Sequence, residues 1–306
     1  MKLYITIKKT SLLDKQVEML ESLGDVIYME ELFTLDDALY LSDDDEKILA
    51  IDPDFYNWNL TNEHIDKIKN LKGICLDTTS FSWVDLDYCA KKGIPVTNVP
   101  KYSTDAVAEY AVFMMMALAK KLPLQLKNDF KCDYSNQYMM SNIACKKVGV
   151  IGLGNIGTAI AEMCNNMGMK VSYWSARSRN DKFKYMELDK LFRESDFIFP
   201  VFLSNDETRK IITDELINSM KDSASFVSIV HDDLYNHNLI LDKVSSGELY
   251  GYAFEENDSD IKSFKGNVFV TSQYAWYTKE AMDNLTVIWL DSIKGVAKGK
   301  YVNKVN

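Results

Sequence analysis

The sequence predicts an α/β protein of two parallel-sheet domains, and three observations carry that prediction. Its 306 residues are more than one ordinary core accommodates. Short apolar runs alternate with helix-period segments, the pattern of parallel strands joined by helical crossovers. A glycine-rich turn, Gly152-Leu-Gly-Asn-Ile-Gly157, follows one apolar run and opens a helical one.

Along the first hundred residues, 2–7, 47–51 and 73–76 are predicted strands, and 12–23 and 62–70 predicted helices. The acidic run Asp43-Asp-Asp-Glu46 is expected to be a solvated loop. Pro95 to Pro100 is an extended segment, and a helix is predicted over 104–121, with N-cap chemistry from Ser103, Thr104 and Asp105. A buried strand at 146–153, a helix at 158–167 and a strand at 170–174 follow. The second α/β pattern continues to Ala275, and the last segment is an amphipathic helix with a short tail.

Composition narrows the function classes. Hydrophobic residues make up 47% and charged residues 26%, as in a soluble globular protein. A net charge of −10 argues against a nucleic-acid backbone as the main partner, since phosphate chains need a basic face. The most apolar stretch, Ala106 to Leu118, contains Glu109 and is too short to span a bilayer. No secretory signal is evident, because Lys8 and Lys9 follow only a few apolar residues. Cys75, Cys89, Cys132, Cys145 and Cys164 form no CxxC pair and read as reduced thiols of a cytoplasmic protein. Three scattered histidines offer no metal spacing, so no metal is expected. The expected partner is a small-molecule substrate, not nucleic acid or membrane.

The glycine turn carries the first chemistry. Gly152 allows a tight turn, Gly154 lets the backbone approach a pyrophosphate, and Gly157 lets the helix pack closely on its strand. Asn155, Ile156 and Gly157 lead into the helix predicted from 158, whose free N–H groups and dipole favour phosphate. The following strand ends at Trp174 in Ser175, where NAD-binding domains usually place a carboxylate on the ribose hydroxyls. Ser175, Arg177, Ser178 and Arg179 instead suit a 2′-phosphate, so NADP(H) is the predicted cofactor and NAD(H) the second choice. The alternative is that both arginines are solvated loop charges.

With these motifs in place, the chain resembles the D-isomer-specific 2-hydroxyacid dehydrogenases over nearly its whole length. The resemblance rests on Lys92-Gly-Ile-Pro-Val-Thr-Asn-Val-Pro100, on Tyr102-Ser-Thr-Asp-Ala-Val-Ala-Glu109 and on the glycine turn. Glu207-Thr-Arg209, Met220-Lys221, Gly247, Gly251 and Tyr274-Ala-Trp-Tyr-Thr278 follow in the family's order. It implies a Rossmann dinucleotide-binding domain over 102–277. It also implies a flavodoxin-like substrate domain formed by 1–101 and completed by 278–306, with a cleft between the two. Helix 104–121 would be the family's dimer-building element, implying a homodimer. Its run Phe113-Met-Met-Met116 suits an apolar interface or an internal core.

The family reduces 2-keto acids with an Arg that anchors the carboxylate, a His that donates the proton and a Glu that orients the His. Here the aligned positions hold His231, Gln273 and Asp260, and the aspartate beside the nicotinamide amide becomes Glu255. The family's carboxylate-receiving loop reads Thr78-Thr-Ser-Phe-Ser-Trp83, bulkier and without its glycine. Gln273 can hydrogen-bond but cannot deliver a proton at neutral pH, and His231 is no bidentate fork. His231 is the candidate acid by its pKa class; His64 and His237 are assigned no catalytic part. Tyr252, Tyr274, Trp276 and Tyr277 either line an aromatic pocket or simply pack. The leading expectation is an NADPH-dependent oxidoreductase with altered chemistry, acting on a small carbonyl, imine or activated alkene. A non-catalytic NADP(H)-binding regulatory protein and an ordinary 2-hydroxyacid dehydrogenase are the alternatives.

Overall fold

The computed structural model describes residues 1–29, 39–256 and 263–306. The chain divides into two compact units, Met1–Ser103 with Lys279–Asn306, and Thr104–Thr278.

In the first unit, β1 (Lys2–Ile5), β2 (Asp25–Tyr28), β3 (Lys47–Ile51), β4 (Leu71–Leu76) and β5 (Val96–Thr97) form a parallel sheet in the order β2-β1-β3-β4-β5. That order is the flavodoxin-like one. β3 and the buried parts of β1 and β4 read as apolar runs because both faces are covered, whereas the edge strand β2 is half-buried. Leu3, Ile5, Ile48, Ala50 and Cys75 pack beneath Trp289 and Ile293 of α10 (Lys279–Ala297). Their neighbours Tyr4, Leu49, Ile51, Ile74 and Leu76 face the opposite way, into a core shared with Ile65 of α2 (Asn62–Lys67) and Cys89 of α3 (Leu86–Lys91). Trp289 also donates its indole N–H to the Cys75 carbonyl at 2.9 Å. His64 has a local structural part. The Thr61 hydroxyl accepts from its backbone N–H, and its Nδ1 accepts from the Thr61 N–H, closing a reciprocal cap on α2.

Several expectations about this unit are corrected. The helix predicted over 12–23 is α1 (Asp14–Glu21), because Leu12 and Leu13 are extended. The acidic run is not simply solvated. Lys47 is fully buried, and its ammonium is held by the Asp43 carboxylate at 2.7 Å and by the Asp43 and Asp45 carbonyls at 2.7 Å. Asp43 also pairs with Lys2. A buried ammonium requires such partners, and Lys2 and Lys47 together hold the Asp43 carboxyl well below its ordinary range.

In the second unit, β6 (Lys147–Ile151), β7 (Lys170–Trp174), β8 (Lys184–Tyr185), β9 (Phe197–Pro200), β10 (Ser225–Val227), β11 (Gly251–Glu256) and β12 (Val268–Ser272) form a parallel sheet ordered β12-β11-β10-β9-β6-β7-β8. The chain turns from one side of β6 to the other between β8 and β9, which makes the β6/β9 junction the switch point where such sheets bind ligands. One face packs against α4 (Thr104–Ala119) and α6 (Asn155–Asn166). The other packs against α7 (Leu188–Glu194), α8 (Asp214–Asn218) and α9 (His237–Ser246).

Helix α4 resolves one open question. Met114 and Met115 are fully buried in this core, while Phe113 points outward, 46% exposed. The run is therefore mainly core. Tyr252 is likewise buried, bonded to Tyr235 and His237, and lines no aromatic pocket. Among the described residues no helix is long and apolar enough to cross a membrane, the five cysteines are unbridged and no metal-binding group is gathered.

Candidate cofactor site and active site

The glycine turn joins β6 to α6 at the switch point. Gly152 has φ +97°, and a side chain there would meet the Val201 carbonyl oxygen at 2.3 Å. At Gly157 a Cβ would lie 2.1 Å from the Gly152 carbonyl oxygen, so helix and turn touch backbone to backbone. Gly154 is the N-cap of α6 without a capping side chain, and no protein atom lies within 4 Å of where its Cβ would be. The first N–H groups of α6, from Asn155 and Ile156 onward, thus lack a side-chain acceptor and stand at the positive end of a 12-residue helix. Asn155 is exposed, whereas Ile156 is half-buried against the core and contributes its backbone only. This arrangement fits a pyrophosphate.

The segment after β7 separates its two arginines. Ser175 is buried, and its hydroxyl accepts the Ser178 N–H at 3.1 Å, closing a turn. Arg179 donates to the Ser175 and Ser178 carbonyls at 2.8 and 3.0 Å and lies over the Tyr185 ring. It shapes the loop. Arg177 reaches into solvent with 89% of its side chain exposed and only a 3.5 Å contact to Glu207. Of the sequence-predicted pair, Arg177 is the guanidinium that remains available to a ligand.

Farther along the same C-terminal edge, the ends of β10, β11 and β12 bring His231, Glu255 and Gln273 together around a cavity of about 80 Å³. Asp232, Glu256 and His237 also line it. His231 is more than half exposed, with Nδ1 3.2 and 3.1 Å from the carboxylates of Asp232 and Asp233. Burial pushes the Asp233 carboxyl up, but bonds from Arg209 at 2.7 Å and Ser204 at 2.8 Å outweigh it and hold the group low. Glu255 accepts the Ala275 N–H at 2.9 Å, yet burial keeps its carboxyl above the ordinary value. Gln273, Tyr274, Trp276 and Tyr277 are exposed on the segment after β12. Asp260, the third aligned position, lies outside the described residues.

Sequence reasoning passed over His237. It is half-buried, its Nδ1 lies 2.8 Å from the Tyr252 hydroxyl, and that hydroxyl is 2.9 Å from Tyr235. Burial lowers its pKa and so favours the neutral ring. Tyr110, which donates to the Thr271 hydroxyl at 2.9 Å, was also missed. Neither carries a motif; only the fold sets them beside this edge.

The first unit has its own sheet edge. Asp52 follows β3 and accepts the Asp54 N–H at 2.8 Å, while Asp54 accepts the Trp58 indole N–H at 2.8 Å. Asp77 follows β4. Burial, and then the neighbouring charges of Asp52 and Asp54, raise its carboxyl well above the ordinary range. The loop after it is held by Thr79 donating to the Val99 carbonyl at 2.7 Å and by Trp83 donating to the Ser80 carbonyl at 3.0 Å.

Comparison with known proteins agrees with this architecture. Residues 112–263 match the model of the D-isomer specific 2-hydroxyacid dehydrogenase NAD binding domain. A hydroxypyruvate reductase of Blautia hydrogenotrophica is 28% identical over 312 residues, covering 94% of each chain. Among solved structures, an acyclic imino acid reductase in complex with NADPH and D-arginine superposes with a TM-score of 0.83 at 26% identity, over 100% of both chains. A D-lactate dehydrogenase of Treponema pallidum superposes with a TM-score of 0.81 at 20% identity, over 100% of both chains, a likeness of fold.

Proposed function

We propose that this chain, which belongs to the D-isomer-specific 2-hydroxyacid dehydrogenase family and is an NAD(P)-dependent oxidoreductase, uses NADPH to reduce a small imine, such as a 2-imino acid. The observation that carries this reading is the cavity at the ends of β10 to β12. Its described lining holds His231, Gln273, Asp232, Glu255 and Glu256 and no lysine or arginine.

The chemistry follows from charge. A ketone must gain a proton on oxygen as it is reduced. A protonated imine already carries its proton and positive charge on nitrogen. Bound NADPH supplies a hydride to the imine carbon while the C=N electron pair moves onto nitrogen, leaving a neutral amine and NADP⁺. Carboxylates beside such a cation stabilise it, and Gln273 orients the N–H group without supplying a proton. His231, held by Asp232 and Asp233, exchanges a proton with the product amine. The imino acid reductase that this chain resembles binds NADPH; here Arg177 would take the 2′-phosphate and the N-terminus of α6 the pyrophosphate.

The test is steady-state NADPH oxidation with pyruvate or glyoxylate, alone and with excess ammonia or methylamine, which form imines in solution. Turnover is expected only with the amine. In the His231→Arg/Gln273→His double variant, amine-independent reduction should rise at least tenfold. Equal turnover of the unmodified protein with and without amine would establish an ordinary 2-hydroxyacid dehydrogenase instead.

The same reading includes a homodimer in a reducing cytoplasm, the latter suited to five unbridged thiols. Phe113, Leu126, Phe130, Tyr134, Met139 and Met140 of the second unit are exposed large hydrophobic side chains from one stretch of sequence. So much apolar surface favours a second copy. Sedimentation equilibrium should give twice the 35.1 kDa chain mass, and a monomer at micromolar concentration would refute it.

A further inference from the structure

The first unit holds a second cavity, of about 560 Å³, built from the C-terminal half of α10, the tail that follows it and Pro100–Lys101. Gly295 makes the construction possible. A Cβ there would lie 2.6 Å from the Lys300 carbonyl oxygen, so only glycine lets the tail fold back onto the helix. The return passes through Gly299 at φ +66°, with the Lys300 N–H donating to the Gly295 carbonyl at 2.8 Å and the Gly299 N–H to the Val296 carbonyl at 3.2 Å. These bonds satisfy the helix end from the backbone.

The lysines around the cavity are therefore not needed to cap α10. Lys101, Lys294, Lys298 and Lys300 line it, against one carboxylate, Asp291. Lys294, Lys298 and Lys300 have no ion-pair partner among the described residues. The chain carries 45 carboxylates against 35 lysines and arginines, yet Asp291 is the one carboxylate among these lysines at the cavity. Like charges lining one partly apolar hollow repel one another unless an anion joins them. Pro100, Ile288 and Val302 supply the apolar wall.

We propose that this cavity is a binding site, distinct from the dinucleotide site, for a small organic polyanion with an apolar body, a phosphorylated or polycarboxylated metabolite. The ammonium groups take its charges as point contacts, and Pro100, Ile288 and Val302 take its carbon skeleton. Lys101 stands three residues before α4, so the ligand touches the segment that leads from one unit into the next.

The experiment is calorimetric titration of the NADPH-saturated protein, in which the pyrophosphate cradle at α6 is already filled. Inorganic pyrophosphate and citrate are the probes, titrated separately. Saturable binding of one equivalent is expected, weakening as salt is added. Pyrophosphate alone identifies a phosphorylated ligand; equal citrate binding identifies a polycarboxylate. The Lys294→Gln/Lys298→Gln/Lys300→Gln variant should bind at least tenfold more weakly while its NADPH affinity is unchanged. Asp291→Asn, which removes the one opposing charge, should bind severalfold more tightly. Absence of saturable binding of either probe overturns the proposal, as does an affinity that none of these substitutions changes.

Discussion

The β6 end of the second unit's sheet and the β3 and β4 ends of the first unit's sheet are the same kind of edge with opposite electrostatics. Each belongs to a parallel sheet whose strand ends open into loops, and such ends are where ligands dock. On the second unit the edge at β6 offers backbone N–H groups and the positive end of α6, with Arg177 beyond β7. On the first unit the ends of β3 and β4 offer Asp52, Asp54 and Asp77. Topology fixes where a ligand can sit; the local backbone and side chains fix the charge it must carry. The N–H edge favours an anion and the carboxyl edge a cation.

The largest expected effect breaks the N–H edge. Gly157→Ala places a methyl group 2.1 Å from a backbone oxygen, so helix and turn must separate. NADPH affinity should fall by two orders of magnitude or more, and thermal unfolding should show a stability loss of about 3 kcal/mol. A variant that binds NADPH normally would mean that the turn does not set the phosphate position.

A smaller effect separates the two arginines. A hydrogen bond between charged groups contributes about 1.5–3 kcal/mol, roughly tenfold or more in affinity. Arg177→Ala should weaken NADPH by about that factor and leave NADH unchanged. Arg179→Ala should weaken both cofactors alike, because it removes bonds to the Ser175 and Ser178 carbonyls that shape the loop. Isothermal titration of both nucleotides distinguishes these patterns, and equal losses in Arg177→Ala would contradict a 2′-phosphate contact.

What the sequence made legible follows from what each residue does. β3 and β7 occupy their predicted residues, since apolar runs bounded by turns have one reading. α6 begins at Asn155 and not at the predicted 158, because Gly157 is already helical in order to approach Gly152. β1 ends at Ile5 and not Ile7; the Thr6 hydroxyl beyond it accepts the Asp52 N–H at 2.7 Å. The glycine turn was readable because backbone sterics restrict the residue type. His237 and Tyr110 were not, since their partners Tyr252 and Thr271 come from other strands, and Lys47 was not, since only the fold of the loop before it turns the Asp43 and Asp45 carbonyls onto its ammonium. Arg177 and Arg179 looked equivalent until the loop showed which one bonds its own carbonyls.

The smallest effect tests the acidic edge without any ligand. Burial is the first cause of the raised Asp77 pKa, and the charges of Asp52 and Asp54 add to it. The folded protein therefore favours the protonated carboxyl more than the unfolded chain does. That preference stabilises the fold fully below the ordinary carboxylate range and is lost as pH rises through the higher folded value. Above the ordinary carboxylate range the preference for the protonated Asp77 opposes folding, whereas Asn is neutral at every pH. Asp77→Asn should therefore match the unmodified protein near pH 3.5 and melt higher at pH 7.5, by about 2 °C for a domain of this size. The substitution also relieves Asp52 of a like charge, so the two carboxyls must be read together, and Asp52→Asn should give a smaller gain in the same direction. Parallel melting curves for variant and parent across that pH interval would show that these carboxyls do not repel one another, and the charge contrast between the two edges would lose its physical basis.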